Sequence, residues 1–160
     1  MSKIIFLKQL IKILNTQYSI LNIVLVTGCF DILHLAHKEF LKAAKKQGDL
    51  LIVGLELDKR ITELKGKGRP VNSWQKRAEN LAKLNWVDFI FPLPKNFSQS
   101  KYHLELLQLI KPKILAVSQN TPHLEKKRKL IKKVGGKLFI FPFNPQYSTT
   151  RLLTKNLLVF

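Results

Sequence analysis

The sequence predicts one α/β domain, a parallel sheet of about five strands with helices packed on both faces. Three observations predict it. Short apolar runs alternate with longer helical patterns, the order that a parallel sheet with crossover helices requires. The runs lack the in-and-out alternation of a half-exposed sheet, so both of their faces must be covered. A length of 160 residues suits one domain with a sizeable core. With right-handed crossovers throughout, the expected architecture is Rossmann-like and doubly wound.

Each element has its own reason. The opening MSKIIFLKQLIKILNTQYSILNIVLV starts with an amphipathic helix at about residues 3–15, since Lys3, Lys8 and Lys12 interrupt apolar sequence at helical spacing. It is an extension preceding the first strand, Ile23–Val26. Strands at Leu50–Leu55, Phe89–Phe91, Ile114–Val117 and Leu138–Phe141 are short, apolar and bounded by turn residues. Helical patterns fill the intervals, at about Ala36–Gln47, Ser73–Leu84, Lys101–Ile110 and Pro122–Lys133, with a closing helix at Thr149–Leu158. Lys65–Pro70, KGKGRP, has two glycines, a proline and three cations, and reads as a phosphate-friendly loop. Repeats and low-complexity tracts are absent, so residues 1–160 are expected to form a single domain.

Composition narrows the partners without choosing one. The single cysteine, Cys29, excludes an internal disulfide and fits a reducing cytoplasm, where the protein is expected to reside. No apolar run reaches the ~20 residues needed to span a bilayer. A balance of 28 basic against 10 acidic residues gives a net charge of +18, a field that attracts anions. Much of the surplus is lysine scattered through helices, as in KKRKLIKK, which equally fits a solvated surface. No stripe of interleaved aromatic and basic residues is present, so no specific nucleic-acid partner is expected.

The chemistry concentrates in Thr27–Leu41, TGCFDILHLAHKEFL. In an open parallel sheet, ligands bind beyond the carboxyl ends of the strands, and TGCFD follows the first strand. Gly28 lets backbone amides approach a phosphate, though a plain turn glycine would look the same. His34 and His37, three apart at the start of the next helix, place two imidazoles on one side of its N-terminus, where the amides and dipole favour an anion. That arrangement suits stabilising charge on a pentacoordinate phosphorus better than general-base work. Zinc on Cys29, His34 and His37 would lack a second cysteine as fourth ligand, so no metal ligand is assigned.

GCFDILHxxH in this setting resembles the nucleotidylyltransferases with a His-any-Gly-His signature, the cytidylyltransferase-like family. The resemblance runs from about Ile23 to Leu153 and is strongest to the branch that adenylylates heptose 1-phosphate. That branch shares a similar first segment, a similar LKGxGRPxNxxxxR segment matched by Leu64–Arg77, and a serine-threonine-threonine start to the last helix, matched by Ser148–Thr150. The resemblance implies transfer of AMP, or CMP, from ATP or CTP to a phosphorylated small molecule such as a sugar phosphate, with release of pyrophosphate and use of Mg²⁺. It implies that Thr27, Gly28, Cys29 and Phe30 surround the triphosphate, His34 and His37 hold the α-phosphate, and Lys65 reaches the outgoing pyrophosphate. Arg77 would face the site from its helix, and Ser148, Thr149 and Thr150 would bind phosphate while capping the last helix. Asp58 would contact the acceptor, and Asp31 would contact it or order the first loop. Relatives often form dimers, so a homodimer is the implied assembly.

The chain departs from the family pattern in three places. Ala36 replaces the glycine between the histidines, Val117–Asn120 replaces a lysine-glycine-glycine-aspartate segment, and FPFNPQY lacks an arginine that cytidylyl-transferring relatives carry. The catalytic core is therefore expected to be kept and the selectivity residues altered. Two alternatives remain: a catalytically weak nucleotide-binding relative acting as sensor or scaffold, and an enzyme like glycerol-3-phosphate cytidylyltransferase.

Overall fold

The computed structural model describes residues 2–97 and 99–142. Eleven elements follow in order: α1 (Leu7–Thr16), β1 (Ile23–Gly28), α2 (Leu35–Lys45), β2 (Leu50–Leu55), α3 (Asp58–Lys65), α4 (Trp74–Ala82), β3 (Phe89–Pro92), α5 (Ser100–Ile110), β4 (Ile114–Ser118), α6 (Leu124–Lys133) and β5 (Lys137–Phe141). The strands form one parallel sheet in the order β3-β2-β1-β4-β5. This is the expected single-domain, Rossmann-like fold. The order reverses between β1 and β4, and the crevice for a ligand opens there.

The strands lack polar alternation because each of their faces meets a different core. Val24, Val26, Leu51, Val53 and Ile90 point to one side and pack with Phe40, Leu41 and Ala44 of α2 and with Ala78 and Leu81 of α4. Ile23, Leu25, Ile52, Phe91 and Leu115 point to the other, against Leu10 and Leu14 of α1, Leu106 and Leu107 of α5, and Ile131 of α6. Period-two geometry thus divides one apolar run between two layers. The N-terminal helix is tied to the far edge of the sheet, where the Ile5 amide donates to the Ile90 carbonyl at 2.9 Å.

Two differences from the sequence reading bear on the site. β1 continues through Thr27 and Gly28, which were expected in the loop; Gly28 pairs with Leu55 of β2. α3 was not foreseen, because DKRITELK buries a single residue, Ile61, and shows no apolar stripe. It ends where Gly66 takes φ 87°, the left-handed region in which glycine stops helices without a Cβ penalty. The predicted closing helix Thr149–Leu158, and with it Ser148, Thr149 and Thr150, lies outside the described residues. Among the described residues no helix is long and apolar enough to cross a membrane.

Candidate active site

A cavity of ≈ 340 Å³ opens at the carboxyl ends of β1 and β4. Thr27, Gly28, Cys29, Phe30, Asp31, His37 and Lys65 line it together with Val117, Ser118, Asn120 and Lys127. The altered segment at the end of β4 therefore borders the same space as the histidine motif. Lys65 is exposed at the last turn of α3, facing the histidine across this cavity.

The α2 N-terminus carries both imidazoles. His34 is the N-cap residue, and its carbonyl accepts from the Lys38 amide at 3.1 Å. The two rings stack with centroids 3.7 Å apart and planes within 18°. His37 Nδ1 lies 3.2 Å from the Ile32 carbonyl, so it carries the proton and donates it. The nitrogen left for a ligand is Nε2. Burial, the neighbouring His34 and Lys65 push the His37 pKa down to about 4 against one opposing contact, the Ile32 carbonyl. Burial also lowers His34, whose Nδ1 is buried without a partner. Two imidazolium ions stacked this closely would repel, so the pair carries at most one charge at a time.

Phe30 holds this end of the site in shape. It adopts φ 44°, uncommon for a bulky residue, and its ring meets His37 edge-on with centroids 5.2 Å apart. A Cβ on Gly28 would come within 2.9 Å of that ring. Gly28 is thus required by its own neighbour, beyond any access it gives to phosphate. Burial raises the Cys29 pKa, with Lys65 opposing, so this residue stays a thiol.

Asp31 and Arg77 join the loops around the cavity. Asp31 is buried and accepts from the Val71 and Asn72 amides and from Arg69 Nε, each at 2.9 Å. Burial pushes its carboxyl up, but those amides and the guanidinium outweigh burial and leave the pKa lowered. Of its two expected roles, this geometry is loop ordering: it fastens the first loop to the segment that follows Lys65. Arg77 was expected to face the triphosphate. It lies on α4 but points inward, fully buried, and donates to the carbonyls of Asn72, Cys29 and Glu56 and to Asp58 Oδ1. Its guanidinium makes four hydrogen bonds within the protein, and neither Arg77 nor Asp58 lines the cavity.

A second cavity, of ≈ 460 Å³, adjoins the first. Glu56 enters it from the connection after β2, and Arg60, His103, Lys126 and Lys127 enter from α3, α5 and α6. Sequence reading missed all five, because their local patterns are those of solvated helix faces and they meet only through the fold. Burial pushes His103 to about 4, with Lys127 and Lys126 adding to the effect. Burial lowers the Lys127 pKa too, against the pull of Glu56.

The depressed histidines set an acid limit on stability. An unfolded histidine protonates near pH 6.5, whereas folded His37 and His103 resist until about 4, so the unfolded chain binds more protons in between. Their stabilisation is complete above pH 6.5 and is lost as pH falls through that window, each contributing on the order of 3 kcal/mol. The melting temperature is expected to fall steadily from pH 7 to pH 4.5, and less steeply in His103→Leu. Equal slopes in the two proteins would remove His103 from this account.

A crevice at the β1/β4 reversal, flanked by a helix N-terminus with two imidazoles and by two lysines, defines a Rossmann-like nucleotide-binding protein. Comparison with known proteins agrees: the family model described as cytidylyltransferase-like matches residues 25–155, and the chain belongs to that family. It is 42% identical over 113 residues to the bifunctional protein HldE of Campylobacter fetus, an alignment covering 71% of this chain and 23% of that protein. The HldE of Pelobacter propionicus is 36% identical over 134 residues, 83% of this chain and 26% of the relative. The chain thus spans about a quarter of the length of these curated relatives. Among solved structures, the lipopolysaccharide core biosynthesis protein of Thermoplasma volcanium superimposes with a TM-score of 0.62 at 27% identity, covering 78% of this chain and 97% of that one. Pantoate-beta-alanine ligase from Francisella tularensis shares the fold at 21% identity, with a TM-score of 0.65 over 92% of this chain and 69% of its own.

Proposed function

We propose that this chain transfers a nucleoside monophosphate, AMP in preference to CMP, from a triphosphate to a phosphorylated small molecule, releasing pyrophosphate. One observation carries the reading: His37, its ring stacked on that of His34 at the α2 N-terminus, meets Lys65 across a cavity at the strand-order reversal. The similarity to HldE proteins, together with the heptose-type motifs in Thr27–Arg77, favours ATP as donor and a sugar phosphate as acceptor.

In this reaction an oxygen of the acceptor phosphate bonds to the α-phosphorus, the α–β bridging bond breaks, and its electron pair leaves with pyrophosphate. The nucleophile is already an anion, so no side chain has to remove a proton. The protein's contribution is alignment and charge neutralisation, by His37 with His34 behind it, by the helix N-terminus and by Lys65 on the leaving group. Among the described residues no group of three or more His, Cys, Asp or Glu side chains could hold a metal ion, and Asp31 is occupied by its amides and Arg69. The expected Mg²⁺ would be held mainly by phosphate oxygens and by the waters this ion retains.

The test crosses the nucleoside triphosphates with hexose, heptose and glycerol phosphates and reads pyrophosphate release. ATP with a sugar phosphate is expected to be the productive pair. CTP with glycerol 3-phosphate would move the chain to the cytidylyl-transferring branch. Tight triphosphate binding without turnover on any acceptor would make it a nucleotide sensor or scaffold.

A further inference from the structure

The second cavity has a composition that the transfer reaction as described so far does not use. It shares the Thr27–Cys29 wall with the first cavity, and among the described residues Lys127 is the one cation lining both. Its Nζ donates to Thr121 Oγ1 at 2.5 Å, which holds the ammonium at that seam. Of the residues lining the second cavity, Arg60 and His103 each have a buried nitrogen, Nε and Nε2, with no hydrogen-bond partner. Unmet buried polar atoms of this kind cost about 1–3 kcal/mol each, so both side chains gain from a partner that the cavity can supply. The His103 ring is held by Phe97, with centroids 4.4 Å apart.

The charges specify what that ligand is. Arg60, Lys126 and Lys127 give the cavity a positive field, which calls for an anion. Glu56 stands among them; burial pushes its carboxyl up, while Arg60, Arg77 and Lys127 act to keep it ionised. A lone carboxylate repels a second phosphate but accepts hydrogen bonds from hydroxyls. A ligand with one phosphate and several hydroxyls satisfies both requirements.

We propose that this cavity receives the acceptor, a small phosphorylated polyhydroxy compound, with Arg60 and His103 donating to its oxygens, Glu56 accepting from its hydroxyls, and Lys127 shared between acceptor and donor. The assignment rests on the transfer reading, because the attacking phosphate must lie at the seam to reach the α-phosphorus. Lys127 stands at that seam, and Lys65 lines the first cavity with it. It offsets the repulsion of two anions as they approach, and no proton has to move.

Histidine ring NMR separates the two cavities without requiring turnover. A triphosphate analogue with a methylene bridge between its α- and β-phosphorus is expected to shift His34 and His37 and spare His103. Millimolar hexose or heptose phosphate should shift His103, and Arg60→Gln should abolish that shift while leaving the unliganded spectrum folded. In turnover, Arg60→Gln should raise the acceptor KM at least tenfold at unchanged triphosphate KM, and Lys127→Met should lower kcat by about 10²-fold. The assignment is overturned if the triphosphate analogue moves His103, if no phosphorylated polyol in the panel does, or if Arg60→Gln binds the acceptor normally. A normal His103 response without pyrophosphate release would instead sink the transfer reading and leave the cavity's ligand standing.

Discussion

Replacing His37 with alanine is expected to lower kcat by about 10²–10³-fold, the usual cost of removing one donor aimed at developing oxyanion charge, with triphosphate affinity changed only a few-fold. The reason lies in its charge state. With Nδ1–H given to the Ile32 carbonyl and a pKa near 4, His37 offers an unprotonated Nε2 to an empty site at neutral pH. An unprotonated nitrogen cannot donate to a phosphoryl oxygen, so the triphosphate has to raise the pKa and bring a proton with it. Opposite charge within about 4–6 Å shifts a pKa by one to three units, enough to bring His37 towards the neutral range. Binding should therefore take up close to one proton at about pH 6, measured calorimetrically in buffers of different ionisation enthalpy, and His37→Ala should lose that uptake. His37→Asn keeps a donor for the Ile32 carbonyl but cannot gain charge, so it should be nearly as slow. Asparagine at full speed would show that His37 only props the loop, and a loss below tenfold in the alanine variant would remove it from the chemistry.

The sheet, its two covered faces and the histidine motif were legible because each is written locally. A strand buried on both sides reads as an unbroken apolar run, and IVLV and LLIVGL are that. The paired histidines follow a strand end with a glycine, and three residues of spacing suffice to place both rings at a helix N-terminus. The second cavity is written nowhere locally. Its cations come from DKRITELK and LEKKRKLIKK, whose patterns are those of exposed helices, and only the crossovers to α3, α5 and α6 bring Arg60, His103 and Lys127 together. Asp31 and Arg77 show a third case. Their sequence context marks them as important to the site, but it does not record which way a side chain turns. In the structure both turn inward and bind the backbone of the loops that carry the ligand-facing residues.

Arg77 consequently supports the largest stability prediction. Its guanidinium has one side-chain partner, Asp58, at 2.6 Å, and three carbonyl partners on three separate segments: Cys29 after β1, Glu56 after β2 and Asn72 before α4. Methionine is likewise unbranched but shorter and has no donor, so it leaves the three carbonyls facing apolar side-chain atoms. Removing one partner of a buried ion pair usually costs about 3–5 kcal/mol. Asp58 is 45% exposed and can turn to water, which reduces its share. The stranded carbonyls, at about 1–3 kcal/mol each before any rehydration, make up the difference. A net loss of about 3 kcal/mol would lower the melting temperature by roughly 6–12 °C in a domain of this size. Arg77→Lys should recover little of it, since one ammonium cannot reach four acceptors held in a planar fork. Turnover should fall in both variants with kcat and KM affected together, because the loops move rather than a single contact being lost. The opposite pattern, an unchanged melting temperature with triphosphate affinity alone reduced, would mean that the guanidinium leaves its carbonyls to meet the nucleotide, and would return Arg77 to the role its sequence position first implied.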